Sequence, residues 1–326
     1  MTLSTDELLA RIRREESERL GREPGQKGYR ATDPASRYVK CNCGHATCWT
    51  AGLLPLRAHM AALFQAITSL GFAERFPGAD REDEPWPGVT YALQMAGGVS
   101  DLVCDPSYVY DDSAAFYCES AAEREDEDRE LASKYAAALI TFNFAWAAYE
   151  AAIEITSNEE PIKGKLPVHA RNILHTEASD AAKIRSLEQC YRYARKHCMH
   201  QPFLKNQIVA SEAKYDLSGP PAAAELVRIF RNYVIHGNDT LPAESIDPCY
   251  RFYAVTRVVI LLTQYLVLRR VIRPSRPVPL SVNRDEIGRE PASLFLRNLH
   301  YEDNIWRTAI PKRPRYGGRP TRWYSA

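Results

Sequence analysis

Seven large apolar residues fall at Leu131, Tyr135, Leu139, Phe142, Trp146, Tyr149 and Ile153, in steps of four, four, three, four, three and four. Such steps return to the same side of an α-helix at every turn, so the stripe predicts a long helix with one buried face. A stripe of this length needs other elements packed against it. Three further helical segments meet that need. One covers about Asp180 to His200, with Ile184, Leu187, Tyr191 and Ala194 on one side. Another runs from about Ala222 to Ile235, after a break at Gly219-Pro220-Pro221, and the last runs from about Asp247 to Ile272. Pro274, Pro277 and Pro279 end the run. Four helices joined by loops predict an antiparallel bundle and a mainly α fold class. On the first helix Asn143, Ala147, Glu150 and Glu154 share a second face, which reads either as a polar site beside large aromatics or as a solvent-facing stripe.

Residues 1–125 have a different texture. A charged helix is expected near Asp6 to Leu20, then a Gly/Pro-rich extended region through Gly21, Pro24, Gly25, Gly28 and Pro34. A second helix is expected over Leu56 to Leu70, and short strands at Val89 to Met95 and Ser107 to Tyr110. These elements describe a small α+β N-terminal region whose role the residues do not state. The acidic run Glu119, Glu123, Glu125, Asp126, Glu127, Asp128 and Glu130 reads as a solvated linker, and acids also suit the positive end of a following helix. The chain thus divides into an N-terminal region 1–125, a helical bundle 126–275 and a Pro/Arg-rich C-terminal extension 276–326.

The 326 residues are 45% hydrophobic and 25% charged, with a formal net charge of +1, so nucleic-acid binding would have to come from local patches. No run of about 18 apolar residues occurs, which predicts no membrane span. The N-terminus, with Asp6, Arg11, Arg13, Arg14, Glu15 and Glu16, is too charged for an export signal. A cytoplasmic protein with reduced thiols is therefore expected.

Chemistry concentrates at Arg231-Asn232-Tyr233-Val234-Ile235-His236-Gly237. Arginine presents a permanent charge in a rigid fork that matches phosphate, and histidine both accepts and donates protons near neutral pH. The spacing alone is cheap, because Arg192 to His197 and Arg195 to His200 repeat it. Context separates the three. Around Arg231 stand Arg228, Asn232 and Tyr233, with Gly237-Asn238 as a helix stop. Five positions on a regular helix leave two side chains about 140° apart. If the helix ends near Ile235, His236 can swing toward Arg231; otherwise the two residues meet partners from another subunit.

The segment Arg231-Asn232-x3-His236-Gly237 resembles the motif of the HEPN superfamily (higher eukaryotes and prokaryotes nucleotide-binding domains), in the form seen in defence-associated and toxin-like members. The helix carrying Asn143, Trp146 and Glu150 is similar to the first helix of such domains, and the resemblance spans roughly residues 128 to 273. It implies a HEPN-like four-helix bundle and a metal-independent endoribonuclease, toxin or antiviral effector. It further implies a homodimer with a composite site, RNA as substrate, and an antitoxin or defence partner. His236 would move the proton and Arg231 would stabilise the charge growing on the phosphorane, with Asn232 orienting either. Glu150, Asn143, Arg228 and Tyr233 are the supporting positions. No cofactor is required. The competing reading is a HEPN-like bundle that dimerises, binds a partner or senses a nucleotide without cutting.

Two features lie outside this resemblance. Cys41, Cys43, His45 and Cys48 fall within eight residues and read either as ligands of a structural zinc, completed by Cys104 or Cys118, or as free thiols. From Trp306 onward Arg307, Lys312, Arg313, Arg315, Arg319 and Arg322 alternate with Tyr316, Trp323 and Tyr324. That pattern suits single-stranded nucleic acid or a docking tail.

Overall fold

The long apolar stripe does form one helix. In the computed structural model α3 runs over Glu119–Ser157, 39 residues, with Tyr135, Phe142, Trp146, Tyr149 and Ile153 buried. Ala138, Ala145, Ala148 and Ala152 are buried among them and let neighbours approach the helix closely. The structure describes residues 31–33, 38–40, 48–50, 52–73, 86, 88–99, 102–104, 106, 118–157, 164–239, 246–272, 280–282, 285–287 and 289–304.

The described residues are mainly α-helical. Before α3 come α1 (Leu56–Ala73) and α2 (Val89–Gly98). After it come α4 (Leu166–Thr176), the short α5 (Ala178–Ala181), α6 (Leu187–Met199), α7 (Pro202–Tyr215), α8 (Gly219–Ile235), α9 (Asp247–Ile272) and α10 (Arg289–Arg297). The described strands are two antiparallel pairs. β1 (Ala31–Asp33) pairs with β2 (Tyr38–Lys40), and β3 (Leu280–Val282) with β4 (Asp285–Ile287).

The centre of the bundle is the seam between α3 and α9, closed by α8. Phe142, Phe230 and Phe252, one from each helix, meet edge-on at 5.0–5.7 Å. Such edge contacts pair the positive rim of one ring with the negative face of the next. Helix α9 is buried from Cys249 through Arg269, as a helix surrounded by others must be. Its Thr256 and Thr263 hydroxyls donate to the carbonyls of Phe252 and Val259, four residues back, so neither is stranded in the core. Both α3 and the Asp247–Arg270 stretch of α9 are long and apolar enough to cross a membrane by length and composition. Here 56% and 100% of their most apolar windows are covered by the rest of the chain. Residues on both sides of position 125 feed one core. Met60, Leu63 and Ile67 of α1, Leu93 of α2, and Leu296, Leu299 and Tyr301 near the C-terminus join the residues of α3 and α9.

Several sequence expectations change. Val89 to Met95 is helix, not strand, because Val89, Ala92, Leu93 and Ala96 recur at helical spacing and are all buried. The acidic run is no linker: it forms the first turns of α3. There Arg129 bridges Glu125 at 2.9 Å and Asp126 at 2.8 Å, and Lys134 pairs with Glu130, one helical turn apart. The single helix expected over Asp180 to His200 is split, since Ser186 takes a left-handed φ of 57° between α5 and α6. Gly219-Pro220-Pro221 starts α8 rather than breaking the chain ahead of it, because proline in a first turn lacks only an amide that would be unpaired anyway. Helix α7 was not foreseen. The expected helix at Asp6 to Leu20, the strand at Ser107 to Tyr110, and Cys41, Cys43, His45 and the tail from Trp306 lie outside the described residues. Cys48 is described, with its Sγ 3.2 Å from the Thr50 hydroxyl.

A buried relay ties the two ends of the chain to α9. Arg257 donates to Leu54 O at 2.7 Å and to His59 Nδ1 at 2.9 Å. His59 Nε2 donates to Gln264 Oε1 at 2.7 Å. The Gln264 amide donates to Leu296 O and to His300 Nδ1, and His300 Nε2 donates to Arg185 O at 2.7 Å. Guanidinium and amide nitrogens only donate, so both imidazoles must accept at Nδ1 and are neutral. Burial, helped by the charges of Arg257 and Arg185, pushes the His300 pKa down to about 3. Between that value and the ordinary histidine range of about 6.5, the unfolded chain takes up a proton the folded ring refuses. Stability held at pH 7 is therefore lost as pH falls. Urea midpoints followed by circular dichroism are expected to drop between pH 7 and pH 5, and His300→Gln is expected to flatten that drop.

Candidate active site

The Arg231–His236 segment is the last turn of α8 and its cap. Pro220 and Pro221 seed the helix at one end, and Gly237 stops it at the other. Gly237 has φ 66°, the left-handed value that terminates helices. Its amide donates to Val234 O at 3.1 Å, and the Asn238 amide donates to Tyr233 O at 3.2 Å. Those two bonds make a Schellman cap, so the carbonyls of Tyr233 and Val234 are satisfied by backbone alone. His236, with φ −81° and ψ 9°, still lies close to the helical path. Its Cβ therefore leaves the helix much as the next regular residue would, and the separation of about 140° from Arg231 persists. The helix ends at Ile235, yet His236 keeps near-helical angles and does not swing back toward Arg231.

The turn is held from below. Asp239, whose side chain is 5% exposed, pairs with Arg251 Nη2 of α9 at 2.8 Å. It also accepts from Tyr233 of α8 at 3.0 Å and Tyr135 of α3 at 3.3 Å. One carboxylate thus fastens the chain just after the motif to three helices. Burial and the Asp239 charge push the Tyr233 phenol up to about 12, and the same causes raise Tyr135. Both hydroxyls therefore remain donors across the physiological range. Sequence reading missed Asp239; the only signal was an acid two residues beyond the helix-stopping glycine.

The predicted residues separate into distinct roles. His236 is exposed and Arg231 and Asn232 are half-buried. Arg231 Nη1 lies 3.5 Å from Asn232 Oδ1, and its guanidinium carbon lies 5.8 Å from the Trp146 ring. Tyr233 is a buried anchor for Asp239 rather than a surface group. Arg228 is taken up by Glu225, at 2.6 and 2.9 Å. That carboxylate also accepts from Arg171 at 3.2 Å and Ser211 at 3.1 Å. Burial alone would raise Glu225, but Arg228 and Arg171 outweigh it and hold the carboxyl below its usual range. Asn143 is exposed and Glu150 half-exposed on α3, and among the described residues neither hydrogen-bonds Arg231 or His236.

The two other Arg-x4-His pairs are chemically occupied. Arg192 bridges Glu188 at 2.8 Å and Arg195 bridges Glu212 at 2.7 Å. Of the three spaced arginines, Arg231 is the one without a carboxylate among the described residues. Its positive charge is left without a carboxylate among the described residues, on the same terminal turn as an exposed imidazole. This end of α8 also carries apolar surface: Ile235 is 53% exposed, and Phe203, 42% exposed, lies tilted with its ring centre 5.9 Å from that of Tyr233.

No protein-family model, no curated protein and no solved structure matches this chain.

The clamp and the cap make separable predictions. Asp239→Ala strands the buried Arg251 charge and is expected to cost on the order of 3 kcal/mol in urea unfolding. Gly237→Ala meets no atom within 4 Å at its new Cβ, so only the left-handed backbone penalises it. Its expected cost is about 1 kcal/mol in the same assay.

Proposed function

We propose that this chain is a metal-independent endoribonuclease of HEPN type, built on an antiparallel four-helix bundle and active as a homodimer. The observation that carries the reading is the uncompensated Arg231. A guanidinium with no carboxylate partner among the described residues, five positions from a solvent-facing histidine at a rigid helix cap, is suited to a phosphate diester. The other two arginines of the same spacing are neutralised and unsuited.

The reaction is an internal transfer. The RNA 2′-oxygen attacks the adjacent phosphorus, the bond to the 5′-oxygen breaks, and a 2′,3′-cyclic phosphate and a 5′-hydroxyl result. His236 moves a proton at the 2′- or 5′-oxygen, and Arg231 offsets the charge gathering on the non-bridging oxygens. Asn232, within 3.5 Å of the guanidinium, orients it. The divergence of Arg231 and His236 along α8 favours a site in which the arginine of one subunit works with the histidine of the other. The exposed Ile235 and Phe203 at this end of the helix offer the apolar contact such a dimer needs. A toxin or antiviral role, held in check by a separate partner, accords with this chemistry.

A second reading is a HEPN-like bundle that dimerises and binds without cutting; the half-buried state of Arg231 is the observation in its favour.

The assay is labelled RNA with EDTA present. Wild type is expected to release cyclic-phosphate ends, and Arg231→Ala and His236→Ala are each expected to lose about 100-fold or more. Variants that cut as wild type does would sink the assignment. Mixing the two inactive variants tests the composite site: random exchange leaves one intact Arg/His pair in half of the dimers, so about a quarter of the activity should return. No recovery in a mixture shown to exchange subunits would mean each subunit carries its own site.

A further inference from the structure

Three hydrogen-bond donors in the seam between α3 and α8 have no partner among the described residues: Trp146 Nε1, the Tyr149 hydroxyl and Arg231 Nε. Trp146 is 6% exposed and Tyr149 1%. Their rings are 5.7 Å apart, and the Arg231 guanidinium carbon is 5.8 Å from the indole. The three groups thus form one contiguous cluster, with half-buried Arg231 spanning from the seam to the surface.

Buried polar atoms in folded proteins are nearly always paired, so three neighbouring exceptions call for a common explanation. Their chemistry is one-sided. An indole N–H and a guanidinium Nε–H can only donate, and the Tyr149 hydroxyl keeps its proton because burial raises its pKa. Such a cluster complements an acceptor. The positive charge of Arg231, which has no carboxylate among the described residues, selects an anionic one. A compact oxyanion asks for the least rearrangement around the covered Tyr149 hydroxyl.

We propose that Trp146, Tyr149 and Arg231 form a phosphate-binding subsite in the α3–α8 seam, taking the phosphate of an RNA or mononucleotide as its ligand. The proposal rests on the assignment of Arg231 to a phosphate in the cleavage reading, and on no role for His236. Arg231 is drawn toward α3 by the indole face, and the Trp146 and Tyr149 donors complete the coordination of oxygens that a single guanidinium leaves open. The two α3 residues are positioning groups for the phosphate. They lie three residues apart on one face of α3, with their rings 5.7 Å from each other.

The test is calorimetric titration of the full-length protein with inorganic phosphate, with adenosine 5′-monophosphate and with adenosine, in EDTA. Phosphate and the monophosphate are expected to bind and adenosine is not. Tyr149→Phe removes one oxygen and keeps the shape, so binding should weaken about ten-fold. The variant's thermal midpoint should stay at or above that of wild type, because an unpartnered buried hydroxyl has been deleted. Trp146→Phe should weaken binding similarly, and His236→Ala should bind as wild type while failing to cut RNA. Absence of phosphate binding in wild type, undiminished binding by both α3 variants, or adenosine binding as tightly as its monophosphate would overturn the proposal. RNA cleavage without phosphate binding would defeat the subsite alone. Phosphate binding in a chain that leaves RNA uncut would defeat the cleavage reading alone.

Discussion

The Asp239 carboxylate is the interaction on which the candidate site depends. It is nearly out of solvent, so its charge is tolerable only because Arg251 matches it and two phenols donate to it. Those partners come from α3, α8 and α9, the three helices whose aromatic residues also meet at the centre of the bundle. The position of the cap after His236 is therefore fixed by the core itself. A turn that would otherwise fray at a helix end becomes part of the rigid body, and the imidazole is presented from an anchored backbone rather than a mobile loop.

Charge pairing, more than spacing, distinguishes Arg231 from its look-alikes. Arg192, Arg195 and Arg228 each have a carboxylate close by, and each is thereby committed to structure. Among the described residues Arg231 has no carboxylate beside it. Its guanidinium carbon lies 5.8 Å from the ring of Trp146, whose indole N–H also lacks a partner among the described residues, so the local deficit is one of acceptors. An anion is the simplest species that would relieve it.

Much of this fold was legible in the chain. The apolar stripe of α3, the limits of α9 and the Gly237 stop follow from helical periodicity and backbone conformation, which are local. The failures share a physical cause. Val89 and Thr90 favour strands by their branching, but burial of one helical face of α2 overrode that preference. The acidic run suggested solvent exposure, yet Arg129 and Lys134 one turn on convert it into helix. Ser186 gave no warning of its left-handed backbone; its hydroxyl is held 2.7 Å from that of Tyr301, 115 residues on. At the site, Arg231 and His236 were marked by their neighbours in sequence. Asp239 and Trp146 acquire meaning chiefly from residues distant in sequence, Arg251 and Tyr135 for the first and Arg231 for the second.

The relay through His59, Gln264 and His300 has a consequence for how the molecule is made. Leu54 N pairs with His300 O at 2.9 Å, and the Tyr301 hydroxyl with Trp49 O at 2.7 Å, across about 250 residues. A ribosome producing the chain from its N-terminus releases α1 long before Arg257 and Gln264, which satisfy its imidazole, have been synthesised. Helix α1 packs on α2 as soon as both have emerged, but its buried imidazole stays unsatisfied until α9 has been made. The polar groups of the first described helix are thus among the last in the chain to be paired.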